Sequence, residues 1–151
     1  MNEQNNNSEM TGTGYLVTRA TTALGAIPVE GATVTVRDGM SSINDRGAVI
    51  ATLTTNKDGL TPKIKLPAPA VLNSTSPGSF FPYASYNIDV LAEGYYRQFF
   101  NGVPIYEGIT SIQPSMLVPI AQTKYPNGIG DNENYFEENV NPSLQPRPKN
   151  I

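Results

Sequence analysis

The sequence predicts an all-β fold, an antiparallel β-sandwich of about seven strands. Apolar and polar residues alternate with a period of two along many short stretches, which is typical of half-buried strands. Turn signals built from Gly, Pro, Asn and Asp separate these stretches at intervals of roughly ten residues. No stretch has the i, i+3, i+4 apolar spacing of an amphipathic helix.

Length and composition fit one domain with tails. The chain has 151 residues, of which 38% are hydrophobic, with 13 Gly and 13 Pro. Domains usually contain roughly 100–150 residues, so one core is expected. Charged residues make up only 15% of the chain, below the roughly 25% that is usual for soluble domains. Thr, Ser, Asn and Tyr must therefore cover much of the surface.

Three predicted strands lie in the first third of the chain. They are GYLVTRATT (14–22), PVEGATVTVRD (28–38) and GAVIATLTTN (47–56). Each alternates apolar with polar residues after a Gly or a Pro, as a strand does when it leaves a turn. In the third, Val49, Ala51 and Leu53 are expected to share one face.

A fourth predicted strand, LTPKIKLPAP (60–69), follows the turn signal Asn-Lys-Asp-Gly. Asp-Gly favours the positive φ angles of a tight reversal. Ile64 and Leu66 are expected to face the core, with Lys65 in solvent between them. Prolines lack the N–H group that a central strand donates, so the three prolines of this stretch place it at an edge or a bulge.

The remaining predicted strands follow a longer loop. The stretch YASYNIDVLAEGYYRQFF (83–100) predicts two strands around a Glu-Gly turn. The first of these should direct Tyr86, Ile88 and Val90 inward. The stretch VPIYEGITSIQPSMLVPI (103–120) predicts one or two more strands.

The sandwich is expected to span residues 13–120, with a different kind of segment at each end. Residues 1–12 are rich in Asn, and Met is their only large apolar residue type, so a flexible arm is expected. Residues 121–151 are rich in Pro and Asn, with apolar residues too sparse for a core, and such segments often become ordered on a neighbour's surface. We predict that the C-terminal tail makes assembly contacts through Tyr125, Ile129, Tyr135, Phe136, Val140 and Leu144.

Charge and residue types argue against several functions. The net charge is −3, which provides no basic surface for phosphate groups, so no nucleic-acid partner is expected. The chain has no His and no Cys, so the commonest general base and the thiol nucleophile are missing, and we expect neither enzymatic activity nor a cofactor. The first ten residues lack the positive and apolar regions of a signal peptide, and no stretch approaches the ~18 apolar residues of a membrane span. Neither a signal peptide nor a membrane partner is expected.

Some acidic and basic residues resemble functional motifs without matching them. Glycosidases use two facing carboxylates, but solvated strand ends and tail explain the pairs Asp89 with Glu93 and Glu137 with Glu138 more simply. Residues 131–134 hold oxygen ligands of the kind that Ca²⁺ takes, yet their spacing matches no calcium loop, and we expect no metal. A Lys–Asn isopeptide bond would need a lysine on the first strand, which has an arginine instead.

Four stretches resemble one family of β-sandwich modules. They are VTRATTALGAIPVEGATVTVRD (17–38), TLTTNKDGLTPKIKLPAP (52–69), SPGSFFPYASYNIDVLAEGYYRQ (76–98) and GVPIYEGITSIQPSMLVPI (102–120). In this order they resemble the carboxypeptidase-regulatory-like, transthyretin-like sandwich of spore-forming Gram-positive bacteria. That module accompanies peptidoglycan-binding modules and spore cortex-lytic enzymes and is not itself catalytic. The resemblance implies a fold and a spore setting, and it covers neither tail.

These observations lead us to expect a structural protein that assembles with itself through its tails into a fibre or layer of the spore surface. The body 13–120 holds seven acidic and seven basic residues, so its copies repel one another weakly. A tail that pairs with an edge strand of a neighbour, as in donor-strand complementation, makes a contact that does not close and builds a filament.

The alternative is a module that binds spore cortex or cell-wall peptidoglycan. The expected partners are accordingly other copies, other spore-surface proteins or peptidoglycan. The expected location is the coat, exosporium or an appendage if the protein is spore-associated, and otherwise the cytoplasm.

Overall fold

The described part of the chain forms nine strands in two sheets. The structure, a computed structural model, describes residues 10–39, 46–70, 83–120 and 135–141. The strands are β1 (Gly12–Thr22), β2 (Ile27–Pro28), β3 (Thr33–Asp38), β4 (Val49–Thr54), β5 (Ile64–Ala68), β6 (Ala84–Leu91), β7 (Arg97–Ile105), β8 (Thr110–Met116) and β9 (Tyr135–Asn139). No helix occurs in these ranges, and thus none that could span a membrane.

The strands form a four-stranded sheet and a five-stranded sheet. In the first, β1 pairs with β2, β5 and β8, and in the second the order is β4-β3-β6-β7-β9. Buried side chains from both sheets form one core between them. Seven strands of five residues or more lie between Gly12 and Met116. The predicted all-β sandwich is confirmed.

Two strand pairs are parallel, whereas the sequence predicts an antiparallel arrangement. β8 runs parallel to β1, with Tyr15 opposite Thr110, and β9 runs parallel to β7. The other strand pairs in the described ranges are antiparallel. A period of two shows which side chains share a face but not the direction of a strand that is distant in sequence. The pattern therefore contains no signal for these two pairs.

Alternate residues of both sheets build the core. The largest fully buried apolar side chains are Leu16, Leu66, Ile88, Ile105, Val34, Val36 and Val90. Tyr86 is also buried, and its hydroxyl donates to the Pro67 carbonyl of the opposite sheet at 2.5 Å. The inward faces predicted for β5 and β6 are confirmed, since Ile64 is half-buried and packs against the core and Lys65 is exposed.

The proline-rich strand lies at an edge, as predicted. In the described ranges β5 pairs with β1 and with no other strand. The predicted turn before it is present, because the Gly59 N–H donates to the Asn56 carbonyl at 2.9 Å and Gly59 has a φ of 75°. Both features follow from the Asp-Gly and proline positions in the sequence.

A bulge in β4 makes the predicted inward position of one residue, Val49, wrong. The register between β3 and β4 shifts so that Val36 opposes Ala51 while Arg37 opposes Val49. Ala51 and Leu53 pack against the core as predicted, but Val49 is 54% exposed. The inserted residue turns Val49 away from the face that a regular alternation would give it.

Both predicted tails contribute residues to strands. β1 begins at Gly12, the last residue of the predicted N-terminal arm. β9 belongs to the predicted C-terminal tail and is the last strand of the five-stranded sheet. The location of β9 makes the outer side of β7 the place to look for assembly contacts.

Candidate assembly site

The candidate assembly site consists of β9 and the side of β7 that faces away from β6. The two strands pair from Arg97 opposite Tyr135 to Asn101 opposite Asn139. The main-chain contact continues one residue further, since the Val140 N–H donates to the Asn101 carbonyl at 2.8 Å. All five residues of β9 are exposed. β9 therefore adds to the sheet mainly through its backbone, as a peptide does in β-augmentation.

Two aromatic contacts supplement the backbone pairing. The Tyr135 ring packs edge-on against Phe99, with 5.1 Å between ring centroids, and the Phe136 ring packs edge-on against Tyr96 at 5.7 Å. Such contacts contribute roughly 0.5–1.5 kcal/mol beyond the buried area. Tyr135 and Phe136 nevertheless remain 46% and 49% exposed. The rings stabilise the docked strand without burying it.

Arg46 and Asn101 hold Glu137 on the outer face of the sheet. The Asn101 side-chain amide donates to Glu137 Oε1 at 2.6 Å, and Arg46 Nη1 lies 3.6 Å from the same oxygen. The Arg46 guanidinium also stacks over Phe99, 3.3 Å from the ring centroid. Because the Arg46–Glu137 pair is exposed to solvent, the ion pair itself adds little stability. The stacked arginine contributes more by covering the aromatic ring.

The C-terminal end of the docked segment is its most tightly packed part. Val140 is half-buried and packs against the core. Asn141 accepts a hydrogen bond from the Tyr83 hydroxyl at 3.0 Å, and its own N–H donates to Asn139 Oδ1 at 3.1 Å. Gly102, with a φ of 74°, lies so close to Asn141 that a Cβ atom at position 102 would overlap the Asn141 side chain. This end of the segment fits only a glycine in β7.

A buried carboxylate fixes the first residue of the β7–β9 pairing. Asp89 on β6 is 2% exposed and accepts hydrogen bonds from Arg97 Nε at 2.9 Å and from Arg97 Nη2. Arg37 Nη2 lies 4.0 Å from the same carboxylate. The hydrogen bond to Asp89 raises the pKa of Arg97, and desolvation opposes that shift. The buried charge of Asp89 is thus compensated, and Arg97 is held in place opposite Tyr135.

The acidic pairs considered for catalysis do not face each other across a cleft. Asp89 is occupied by its arginines, and Glu93 is exposed in the turn after β6. Glu137 and Glu138 are consecutive in β9, so their side chains point to opposite faces of the sheet. Within the described ranges, no group of three or more acidic, His or Cys side chains could hold a metal ion, and residues 131–134 lie outside these ranges.

The predicted assembly residues fall into two groups. Tyr135, Phe136 and Val140 lie on the docked segment of their own chain. Tyr135 contacts Phe99 of β7, Phe136 contacts Tyr96 just before β7, and Val140 packs against the core. The structure does not describe Tyr125, Ile129 or Leu144. That any of the six contacts a second copy stays a prediction.

Sequence reasoning did not identify the residues that receive β9. Arg46 precedes β4 and Phe99 lies on β7, and the two meet only because the fold brings these separate parts of the chain together. No spacing in the sequence marks that contact. Gly102 follows Asn101 in an Asn-Gly pair, which is usually a hairpin signal, but here the pair lies inside β7.

Several solved structures are similar to this chain, whereas no protein-family model and no curated protein matches its sequence. The Bacillus anthracis TIE protein is 16% identical with a TM-score of 0.47, over 72% of this chain and 17% of its own. GBS52, the minor pilin of Streptococcus agalactiae, is 15% identical with a TM-score of 0.48, over 76% of this chain and 48% of its own. Catechol 1,2 dioxygenase of Acinetobacter radioresistens is 14% identical with a TM-score of 0.49, over 89% of this chain and 60% of its own. The chain therefore spans less than two thirds of each of these proteins.

Proposed function

We propose that this protein is a non-enzymatic structural subunit of the bacterial spore surface, and that copies assemble by exchanging the C-terminal strand β9. The observation that carries the proposal is the exposed β9 strand paired along the edge of β7. Transfer of such a strand between identical copies replaces each contact within a chain by the same contact between chains. If each copy gives its strand to the next, the contact does not close, and a filament forms.

The body of the protein does not need its own β9 to form a core. All buried residues of the core cluster lie between Leu16 and Leu117, and Val140 only packs against them. The aromatic partners of the β9 rings, Phe99 and Tyr96, are not among the buried residues of that cluster. A copy that releases β9 therefore keeps a folded body that can receive a strand from a neighbour.

The connection before β9 is long enough for exchange. The Tyr96 N–H donates to the Val118 carbonyl at 2.9 Å, and Tyr135 lies opposite Arg97, so both ends of the connection lie beside the start of β7. Residues 121–134, when fully extended, reach roughly 46–50 Å. That length is enough to carry β9 to the β7 edge of an adjacent copy.

Two parts of the proposal, the spore location and the lack of enzymatic activity, are inferred from the sequence. Residues 13–120 resemble the transthyretin-like, carboxypeptidase-regulatory-like module of spore-forming bacteria. This resemblance is more specific than membership of the β-sandwich fold. The absence of His and Cys removes the usual acid–base and nucleophilic groups. A body with equal numbers of acidic and basic residues lets copies approach closely.

Strand exchange can be tested with the double variant Asn101→Cys, Asn139→Cys. The two positions face each other across β7 and β9. Neighbouring strands lie roughly 4.7–4.9 Å apart, which is within the Cα range for disulfides, and the natural chain has no Cys. Oxidation of dilute protein should join the two positions within one chain and prevent the formation of filaments. Oxidation of assembled protein should join different chains and give a ladder on a denaturing gel without reductant.

The single variant Asn101→Cys serves as the control, because it loses the hydrogen bond to Glu137 in the same way but cannot close the bridge. If the locked chain assembles as well as this control, or if assembled protein yields only bridges within chains, strand exchange is wrong. Binding to purified cortex peptidoglycan then becomes the function to test.

A further inference from the structure

The side of β4 that faces away from β3 is a sheet edge that lacks the residues which usually prevent pairing with another strand. In the described ranges β4 pairs with β3 alone, so on its other side alternate N–H and C=O groups point away from the sheet. The stretch 47–56, GAVIATLTTN, contains no charged residue and no proline. Natural sandwiches usually use both to prevent contact between edges.

The other edges of this sandwich do carry such residues. β9 contains Glu137 and Glu138, β5 contains Lys65 and Pro67, and β8 contains Pro114. β2 is only two residues long and ends in proline. The unprotected edge is therefore a property of β4 and not of the whole chain.

The side chains of β4 suit pairing with a further strand. Val49 and Ile50 are 54% and 46% exposed, and Thr52 and Thr54 are exposed as well. All four are β-branched residues, which favour strands and stabilise a sheet through contacts with cross-strand neighbours. Pairing with another strand would cover these side chains and satisfy the free backbone groups.

We propose that β4 pairs antiparallel with β4 of a second copy and joins the two five-stranded sheets into one. The inference extends the proposed self-assembly to a second contact and does not use β9. Charge indicates which strand of a second copy pairs with β4. A neighbouring β9 carries Glu137 and Glu138, and β4 has no Lys or Arg that could pair with them. Pairing of β9 with β9 would bring four acids together, whereas two β4 strands bring no charges.

The bulge in β4 fixes the register of the pairing. Residues directly opposite each other must point to the same face of the joined sheet. A two-fold axis at Thr52 places Thr52 opposite its own copy and Ala51 opposite Leu53 on the core side. An axis at Ala51 would instead place Val49 opposite Leu53, and the bulge puts these two on opposite faces. An axis at Thr52 avoids this conflict and keeps every residue of the pairing from Ile50 to Thr54 within β4, so we centre the contact there.

The test uses the full-length chain with β9 locked by the disulfide between positions 101 and 139, so that strand exchange cannot contribute. Sedimentation equilibrium should then show a dimer. Thr52→Lys places two ammonium groups directly opposite each other and should raise the dimer Kd by up to roughly fivefold. Thr52→Glu should have the same effect, and an equimolar mixture of the two variants should restore the dimer because Lys then faces Glu.

Thr33→Lys is the matched control, because Thr33 is exposed on β3 and adds the same charge one strand away from the edge. It should leave the Kd within about twofold. A locked wild-type chain that stays monomeric at high concentration overturns the β4 contact, as does a mixture of the Lys and Glu variants that fails to restore it. Neither result affects strand exchange, which is overturned separately when assembled Asn101→Cys, Asn139→Cys protein gives no bridges between chains.

Discussion

Tyr86 shows how one side chain can connect the two sheets of the sandwich. It lies on β6, and its hydroxyl donates to the Pro67 carbonyl of β5. Burial of the phenol raises its pKa from 10.0 to about 12, and the negative charge of Asp38 adds to the effect. The neutral, hydrogen-bonded phenol is therefore part of the folded state, and the phenolate is not.

This pKa shift predicts a loss of stability at high pH. Below pH 10 the phenol is protonated in both the folded and the unfolded chain, so its stabilising contribution is fully present. Between pH 10 and 12 the unfolded chain releases the proton and the folded chain retains it, so the free energy of unfolding should fall by up to roughly 2–3 kcal/mol. Urea unfolding at several pH values measures this loss.

Tyr86→Phe is the comparison for that measurement. The variant should be less stable near neutral pH by roughly 1 kcal/mol, because the Pro67 carbonyl loses its donor. It should also lose stability less steeply than the wild type above pH 10. Equal slopes for the two proteins between pH 10 and 12 would assign the alkaline loss to other groups.

Among the elements, β9 depends on a single glycine of β7. Gly102 has a positive φ and contacts Asn141 closely. Its N–H donates to the side chain of Asn87 at 3.0 Å. The conformation of position 102 thus serves both the neighbouring strand β6 and the docked segment.

Gly102→Ala is expected to loosen the end of the docked segment. The positive φ costs an alanine roughly 1–2 kcal/mol, and overlap with Asn141 should add to that loss. Gly31→Ala is the matched control, because Gly31 has a φ of 78° and no atom within 4 Å of an added Cβ. Amide hydrogen exchange should show faster exchange of the Val140 N–H in Gly102→Ala alone. If Val140 exchanges equally slowly in both variants, the contact with Asn141 does not hold the segment.

The sequence predicts strands better than it predicts how they meet. The inward faces of β5 and β6 follow from apolar alternation, because burial imposes that pattern directly. The parallel pairs β1–β8 and β7–β9 leave no such trace, because main-chain hydrogen bonds do not depend on side-chain identity. The turn after β1 is only partly marked in the sequence, because Gly25 has a φ of 91° but Ala23 and Leu24, with φ angles of 51° and 56°, are not the Gly or Asn that usually signals positive φ.

Only the docking strand of the candidate site, β9, could be predicted from the sequence. Isolated apolar residues such as Tyr135 and Phe136 in a polar segment indicate a strand that docks on something else. Their partners Phe99 and Tyr96 belong to an aromatic-rich stretch in which core and contact residues look alike in sequence. Only the position of β7 in the sheet distinguishes the two roles.

For the whole molecule, removal of residues 121–151 should separate folding from assembly. The shortened chain keeps every buried residue of the core cluster, so it should still unfold cooperatively, although at a lower Tm because β7 loses its partner. It should form no filaments and no species larger than the dimer paired through β4. Light scattering and negative-stain imaging measure this, and a chain without residues 1–9 is the control that should still form filaments. Filaments from the shortened chain would show that β9 is not the exchanged element.

The parallel docking of β9 also has a kinetic consequence. Because the segment before β9 starts beside Tyr96 and β9 begins opposite Arg97, the strand stays tethered close to its own edge. Such a tether corresponds to an effective concentration on the order of millimolar, far above that of a dilute protein. If copies exchange β9 as proposed, a newly made chain therefore caps its own edge first, and exchange must wait until copies are crowded enough to compete. Growth should begin with a delay that preformed ends shorten, so that filaments extend where subunits accumulate and not where they are synthesised.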